Sequence, residues 1–366
     1  MTGGLGTALE TFDRWVARGD FTLEGLGRFR VLFATYALLR LPNFAWASSF
    51  PDALYAPPPG LMTLFDGFPP SAVLTGLELL LAVALMAVLV GWRTRPASLV
   101  VTAVLVLGHG FTYSLGKIDH AILFFLLPAF LAFAGWDGAW SVDAARERAS
   151  RTVRHWVLRA YALTVGIAMA TAALPKARGG WLSPDSHAVW SQLLIDQQVR
   201  QVDTVLGARL VQLDVPVLWE VVDWLTVGLE GVLIVSVLWW PLFRLVLAGL
   251  ALFHLGVLLT LDIAFVGNLL AYGAFVRWDR VSLPAAGVRA RVRPRLRRVP
   301  EVAMALAVTV SGIGWYLLPD VPHVGGVLRY GVTWTGAGVG AWYLARQAHR
   351  AVRAVGRSTR PAASDA

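Results

Sequence analysis

The chain has 366 residues, of which 57% are hydrophobic and 15% are charged. An ordinary soluble domain is about 25% charged and has no repeated apolar runs of about 20 residues, so the composition excludes a soluble globular protein. The net charge of +9 does not indicate nucleic-acid binding, because most arginines lie in short segments between apolar runs. The absence of cysteine excludes disulfides and thiolate metal sites.

In chain order, residues 1–25 carry scattered charges and lack the short apolar core of a cleavable signal, so we expect the first apolar run to be retained. Ten apolar runs follow that cross or nearly cross a bilayer. They fall at 26–45, 71–91, 97–115, 119–135, 155–174, 217–239, 241–260, 262–277, 300–318 and 324–345. The runs are continuously apolar, which favours helices over a β-barrel.

The sequence therefore predicts an all-α, polytopic transmembrane bundle of about ten spans. We divide it into a cytoplasmic segment 1–25, a transmembrane domain 26–345 and a basic tail 346–366 that we expect to be disordered. The long segment 175–216 after span 5 mixes polar and apolar residues, and we expect it to lie along the outer membrane surface.

Placing the N-terminus inside leaves 25 of the 32 basic residues on the inner side. This distribution predicts a plasma-membrane protein with both termini cytoplasmic. The chain has only two lysines, Lys117 and Lys176, and both fall on the outer side, which the arginines avoid.

Several ionisable side chains share one depth near the outer ends of the predicted spans. Counting about 1.5 Å per helical residue puts them within about 10 Å of that surface. They are Glu78, His109, Lys117, His120, Lys176 and His254. Ionisable groups inside spans usually face a bundle interior or cavity, so this layer is a candidate site.

Structural interpretations remain open for each of these residues. His109 can donate to a carbonyl of a neighbouring helix, and Lys117 can contact lipid headgroups. Glu230, deeper in span 6, can be one partner of a structural pair or a protonated carboxyl. The histidine spacings resemble no metal motif, so we predict no metal site.

The stretch 116–143 includes His120 at a polar turn and ends in Trp140-Ser141-Val142-Asp143. In these features it resembles the HTTM family, the membrane module shared with vitamin K-dependent gamma-carboxylases. The segment Leu174-Pro175-Lys176 to Trp181 is similar to the lysine-containing segment of that family. Supporting similarities are Arg28 and Arg30, Glu230, and the segment Phe253-His254-Leu255-Gly256, so the resemblance covers about residues 15–280.

The resemblance implies that Lys176 is a base that deprotonates a lipid-borne quinol, with His120 as a catalytic helper. From the shared depth and the resemblance together, we expect ligand binding to involve His254, His109, Lys117, Glu78, Arg30 and Trp181. A base of this kind must be able to lose its charge near neutral pH, which a membrane edge and a neighbouring cation such as Arg178 both promote.

We do not expect glutamate gamma-carboxylation itself, because the carboxylases carry a further soluble domain that holds their substrate and this chain ends in two helices and a basic tail. Two alternatives remain open. One is a non-catalytic membrane scaffold or small-molecule carrier, with membrane lipid or a quinone as the bound molecule. The other is a role with a membrane partner in maturing a secreted peptide.

Overall fold

The computed structural model describes residues 2–116, 121–184, 186–202, 204–281, 294–318 and 324–358. These residues form helices and turns, and no strand occurs among them. The all-helical class predicted from the continuous apolar runs is thus confirmed. Within these described ranges, four helices are long and apolar enough to cross a membrane, namely Ser71–Val90, Thr94–Leu115, His155–Arg178 and Trp240–Leu261.

The chain divides into two compact units. The first comprises Met1–Ala162 and Leu270–Gly325, and the second comprises Leu163–Leu269 and Gly326–Ala366. Helix α7 (His155–Arg178) begins in the first unit and continues into the second.

The first unit contains most of the N-terminal helices. They are α1 (Thr2–Ala17), α2 (Leu23–Leu39), α3 (Ser71–Val90), α4 (Thr94–Thr112), α5 (Ile122–Ala134), the short α6 (Val142–Ala145) and, later in the chain, α13 (Glu301–Tyr316). Helix α3 packs against α2, α4 and α13, and α4 packs against α5. Large apolar side chains such as Phe29, Phe33, Leu81 and Trp136 are fully buried between them.

The second unit is built on two long helices, α10 (Pro216–Ser236) and α11 (Trp240–Leu261), which pack against each other. Pro216 and Pro241 occupy first-turn positions, where proline costs no helical hydrogen bond. The shorter α8 (Ala188–Gln198) and α9 (Gly207–Leu210) contact them. Helix α12 (Val266–Gly273) spans the division of the units, and α14 (Val324–Ser358) lies almost wholly in the second.

Every predicted apolar run contains a helix, but their lengths differ from the prediction. Helix α5 has 13 residues and α12 has 8, about 20 Å and 12 Å, which is less than the roughly 30 Å hydrocarbon core. Helix α14 has 35 residues and continues through 346–358, where we had expected disorder. Alanine and arginine favour helix there, and hydropathy alone does not report that preference.

Candidate functional site

Lys176 lies in the last turn of α7, not after the helix as its spacing from the apolar run had suggested. Its Nζ atom is 2.5 Å from Oε1 and 2.6 Å from Oε2 of Glu230 on α10. The side chain of Lys176 is 26% exposed and that of Glu230 is 8% exposed. The two side chains form a largely buried pair with one face open, in which one ammonium contacts both oxygens of one carboxylate.

The pair forms because α7 and α10 approach closely in the second unit. A Cβ atom added at Gly166 would lie 2.8 Å from the Cα atom of Ile234, and one added at Gly231 would lie 3.7 Å from the Cβ of Ala173. Ala173 follows Gly166 along α7, whereas Gly231 precedes Ile234 along α10, so the two helices run antiparallel. Glycine at 166 permits an approach that a larger residue would prevent.

Trp181 covers the same lysine. Helix α7 ends at Arg178, and Gly180 adopts φ of +88°, a left-handed conformation in which glycine carries no steric cost. The chain turns back, the Trp181 N–H donates to the Lys176 carbonyl over 3.2 Å, and the ammonium lies 5.5 Å from the indole ring centroid. Lys176 therefore has an anionic partner and an aromatic neighbour.

His254 lies in the same unit but has a different environment. It is 2% exposed on α11, and its ring stacks on that of Phe265 with centroids 4.5 Å apart. Among the described residues, the partners of Lys176 are Glu230 and Trp181, and His254 is not one of them. The structure thus brings Lys176 and Trp181 together and leaves His254 outside their direct contacts.

Glu78 and His109 both contact Phe44 in the first unit. The carboxylate of Glu78, 3% exposed, accepts hydrogen bonds from the Phe44 N–H, from the Ala45 N–H over 2.8 Å and from the Tyr316 hydroxyl over 2.6 Å. His109 stacks on Phe125 with centroids 4.3 Å apart and lies edge-on to Phe44. These contacts hold the segment after α2 against α3, which gives Glu78 a structural role.

Arg30 is a residue of α2, and its side chain lies next to the end of α3 that is opposite to Glu78. It is fully buried and donates from Nη2 to the Trp140 carbonyl over 2.5 Å. Its Nη1 also lies next to Gly91, the residue that ends α3. Glu78 is 13 residues before Gly91, or about 20 Å along the helix, so Arg30 does not join the layer that contains Glu78.

The Trp140-Ser141-Val142-Asp143 motif closes the turn between α3 and α4. Asp143 accepts from the backbone N–H groups of Arg93 (3.0 Å) and Thr94 (2.8 Å) and from the Thr94 hydroxyl (2.7 Å). A carboxylate at a helix N-terminus is stabilised by the free N–H groups there. The motif thus supplies a cap for α4 from a distant part of the chain.

An HTTM domain matches residues 21–265. The chain belongs to the HTTM family. With its apolar helices, it is a membrane protein of that family. Comparisons with curated proteins and with solved structures return no match.

The HTTM domain includes all the residues discussed as a candidate site. Lys117 and His120 lie outside the described residues, so their roles stay predictions. Within the described portion of the HTTM protein, no group of three His, Asp or Glu side chains is arranged to hold a metal ion.

Our sequence reasoning missed a second group of polar residues close to Lys176 in the HTTM domain. His187 Nδ1 lies 3.1 Å from Oε1 of Glu220, and the fully buried Asp223 accepts from the Ser186 hydroxyl and from the N–H groups of Ala188 and Val189. The signal was present in the sequence as Glu220, Asp223, Thr226 and Glu230, which recur at helical spacing in an apolar run. We had considered only Glu230.

Proposed function

We propose that this chain is a membrane enzyme of the HTTM family that removes a proton from a lipid-borne quinol, or from a similarly acidic lipid-soluble substrate, with Lys176 as the base. The observation that supports this proposal is the Lys176–Glu230 pair, with Nζ 2.5 and 2.6 Å from the two carboxylate oxygens in a largely buried setting. Such a pair combines a proton-accepting capacity with partial exclusion of water.

The pair can accept one proton. An ammonium beside a carboxylate has the same composition as a neutral amine beside a carboxylic acid, so transfer of one proton from Nζ to Glu230 leaves the net charge of the pair at zero and frees the amine. The neutral Nζ can take a hydroxyl proton from the substrate. The net charge of the pair then rises from zero to +1, and that of the substrate falls by one.

The surroundings of Lys176 suit a flat aromatic substrate. The indole of Trp181 lies beside the ammonium and offers a face for ring stacking, and about a quarter of the Lys176 side chain (26%) is exposed. When bound, a quinol would supply the acidic hydroxyl and, with oxygen, the oxidising chemistry. His254, in the same compact unit, is a candidate for binding the ligand through its ring.

We further propose the topology that the positive charges favour, with ten spans, both termini cytoplasmic, and the chain in the plasma membrane. Five arginines lie between Arg146 and Arg159 at the start of α7, and Lys176 lies at its other end. This orientation would place Lys176 in the outer leaflet, with residues 179–215 along the outer surface.

The test is oxygen uptake by the purified protein with added quinols, together with mass spectrometry of small molecules that co-purify. We expect Lys176→Ala to abolish uptake while the protein remains folded and inserted. Arg209→Ala, which removes an exposed cation from the same unit, should retain it.

Uptake that survives Lys176→Ala would overturn the mechanism. Recovery of an unaltered quinone or lipid without any oxygen uptake would instead establish the carrier function. The ion pair is also compatible with that alternative, because a lysine whose charge is balanced by Glu230 is stable without taking part in a reaction. Participation in secreted-peptide maturation remains a prediction from the resemblance.

A further inference from the structure

The polar side chains of α10 lie on its buried face together with Trp219, Val227 and Leu233, whereas its exposed face is apolar. Glu220, Asp223, Thr226 and Glu230 are spaced by three, three and four residues, so they lie on one face of the helix. Asp223 is 0% exposed, Thr226 3% and Glu230 6%. The large exposed side chains of α10 are Val217, Leu218, Val221, Trp224, Leu225, Val232 and Val235. The polar groups therefore face the protein, as ionisable groups in a membrane do.

A basic side chain from the segment 176–187 pairs with each end of this face. Glu230 binds Lys176 at one end, and Glu220 lies 3.1 Å from His187 at the other. Between them, Asp223 accepts from the Ser186 hydroxyl over 3.2 Å. The side chain of His187 is 33% exposed and that of Glu220 is 15% exposed, whereas Asp223 is fully buried. The row is thus partly exposed at its two basic ends and fully buried at Asp223 between them.

We propose that the polar face of α10, defined as Glu220, Asp223, Thr226 and Glu230, conducts protons together with His187 between Lys176 and the protein surface. This inference rests on the proposed function, because a base that has taken one proton must lose it before it can act again. One proton moves from the Lys176–Glu230 pair to bulk water for each turnover, and no electrons move along the route.

The spacing suits proton transfer by short steps. Residues three or four apart on a helix have Cβ atoms about 5–6 Å apart, a gap that a side-chain rotation or one bridging water can cross. The Ser186 hydroxyl already donates to Asp223. The Thr226 hydroxyl donates to the Val222 carbonyl over 2.8 Å, and because a hydroxyl can both donate and accept, its rotation toward the carboxylates lets it relay a proton. Imidazole has two ring nitrogens, of which one can accept a proton while the other donates one, and this suits His187 as the group at the exit.

A purely structural role for these residues makes a different prediction. Asp223 also accepts from the N–H groups of Ala188 (2.7 Å) and Val189 (2.8 Å), so it anchors the start of α8. If these polar residues only anchored α8, substitutions of His187 and Glu220 would change the stability of the protein and would not change the rate at which a proton reaches Glu230. A measurement of that rate separates the two.

The experiment follows the infrared absorption of protonated carboxyl groups after a rapid drop in pH, in the absence of any quinol. Glu230→Gln identifies the Glu230 contribution by its loss. We expect His187→Asn and Glu220→Gln to slow the appearance of that signal in weak buffer by on the order of a hundredfold. Added imidazole should restore the rate. His349→Asn and Glu10→Gln, which change exposed residues elsewhere, should leave it unchanged.

An unaltered rate in His187→Asn and Glu220→Gln would overturn the route, as would a slowed rate that imidazole does not restore. If these variants do not fold, Thr226→Val removes one hydroxyl at nearly constant volume and should slow the same signal. Since no quinol is present, the result is independent of the proposed enzyme activity. If the protein takes up no oxygen but the rate is slowed in the variants and restored by imidazole, the proton route is supported and the proposed enzyme function is not.

Discussion

Lys176 and Glu230 are the two residues on which the functional argument depends. Their charges are held 2.5 Å apart in surroundings that leave only 8% of the Glu230 side chain exposed. In such a site the loss of hydration opposes the attraction between the charges, and the removal of one partner leaves the other uncompensated. The energetic importance of the pair can therefore be measured separately from any activity.

We expect Lys176→Met and Glu230→Gln each to lower the free energy of unfolding by about 2 kcal/mol, less than for a fully buried pair because Lys176 is 26% exposed. The loss in free energy of unfolding of the double variant should be smaller than the sum of the two single losses, and the difference, the coupling energy, should be about 1–3 kcal/mol. Denaturant or thermal unfolding in detergent measures all three. The exposed pair Arg297–Glu147 provides the control, with an expected coupling below about 0.5 kcal/mol. Strictly additive losses at Lys176 and Glu230 would contradict a coupled pair.

The sequence identified Lys176 and Trp181 as neighbours in a candidate site, and the structure places them in contact. It did not identify Glu230 as the partner of Lys176, because the two are 54 residues apart and the depth count placed Glu230 below the layer. Depth counting treats side chains as points on a helix axis, whereas a lysine side chain extends several ångströms along its neighbour. Arg30 was predicted to bind the same ligand as Glu78 because of the family resemblance, which does not report the distance between two residues.

At the level of helices, the close approach of α7 and α10 positions the pair. Gly166 faces the main chain of Ile234, which cannot rotate away as a side chain can. Elements with a strong and long apolar signal, such as α3 and α11, follow the sequence prediction closely. The shorter α5 and α12 do not, because hydropathy measures transfer from water and does not report where a backbone turn ends a helix.

Gly166→Ala should lower the free energy of unfolding by about 1–3 kcal/mol, because the added methyl group forces α7 away from α10. The matched control is Gly228→Ala on α10, where a Cβ atom would meet nothing within 4 Å. That change should raise stability by up to about 1 kcal/mol through helix propensity. Thermal unfolding of the two variants measures the difference. Equal effects at both positions would show that α7 and α10 are not in close contact at Gly166.

For the whole molecule, the main prediction is its orientation in the membrane. The chain has no cysteine, so single cysteines can be introduced without background. Ser183 lies in the exposed turn after α7, and Ala351 lies in the exposed last part of α14. If the charge distribution sets the topology, these two positions lie on opposite sides.

In intact cells, we expect a membrane-impermeant maleimide to label Ser183→Cys, and to label Ala351→Cys only after permeabilisation. Labelling is read by the mass shift of the purified protein. The unmodified cysteine-free chain is the control for both. Labelling of Ala351→Cys in intact cells would place the C-terminus outside and reverse the proposed leaflet of Lys176.

The polar face of α10 also has a consequence for how the protein is made. Three carboxylates raise the cost of inserting this helix by itself, since an acidic residue at the centre of a span costs about 2.5–3.5 kcal/mol. Lys176 is synthesised 54 residues before Glu230, so α7 is available to neutralise one carboxylate when α10 leaves the ribosome. If α10 spans the bilayer, as the proposed topology requires, its insertion therefore depends on α7. Substitution of Lys176 would then impair the insertion of α10 during biosynthesis, independently of any effect on substrate.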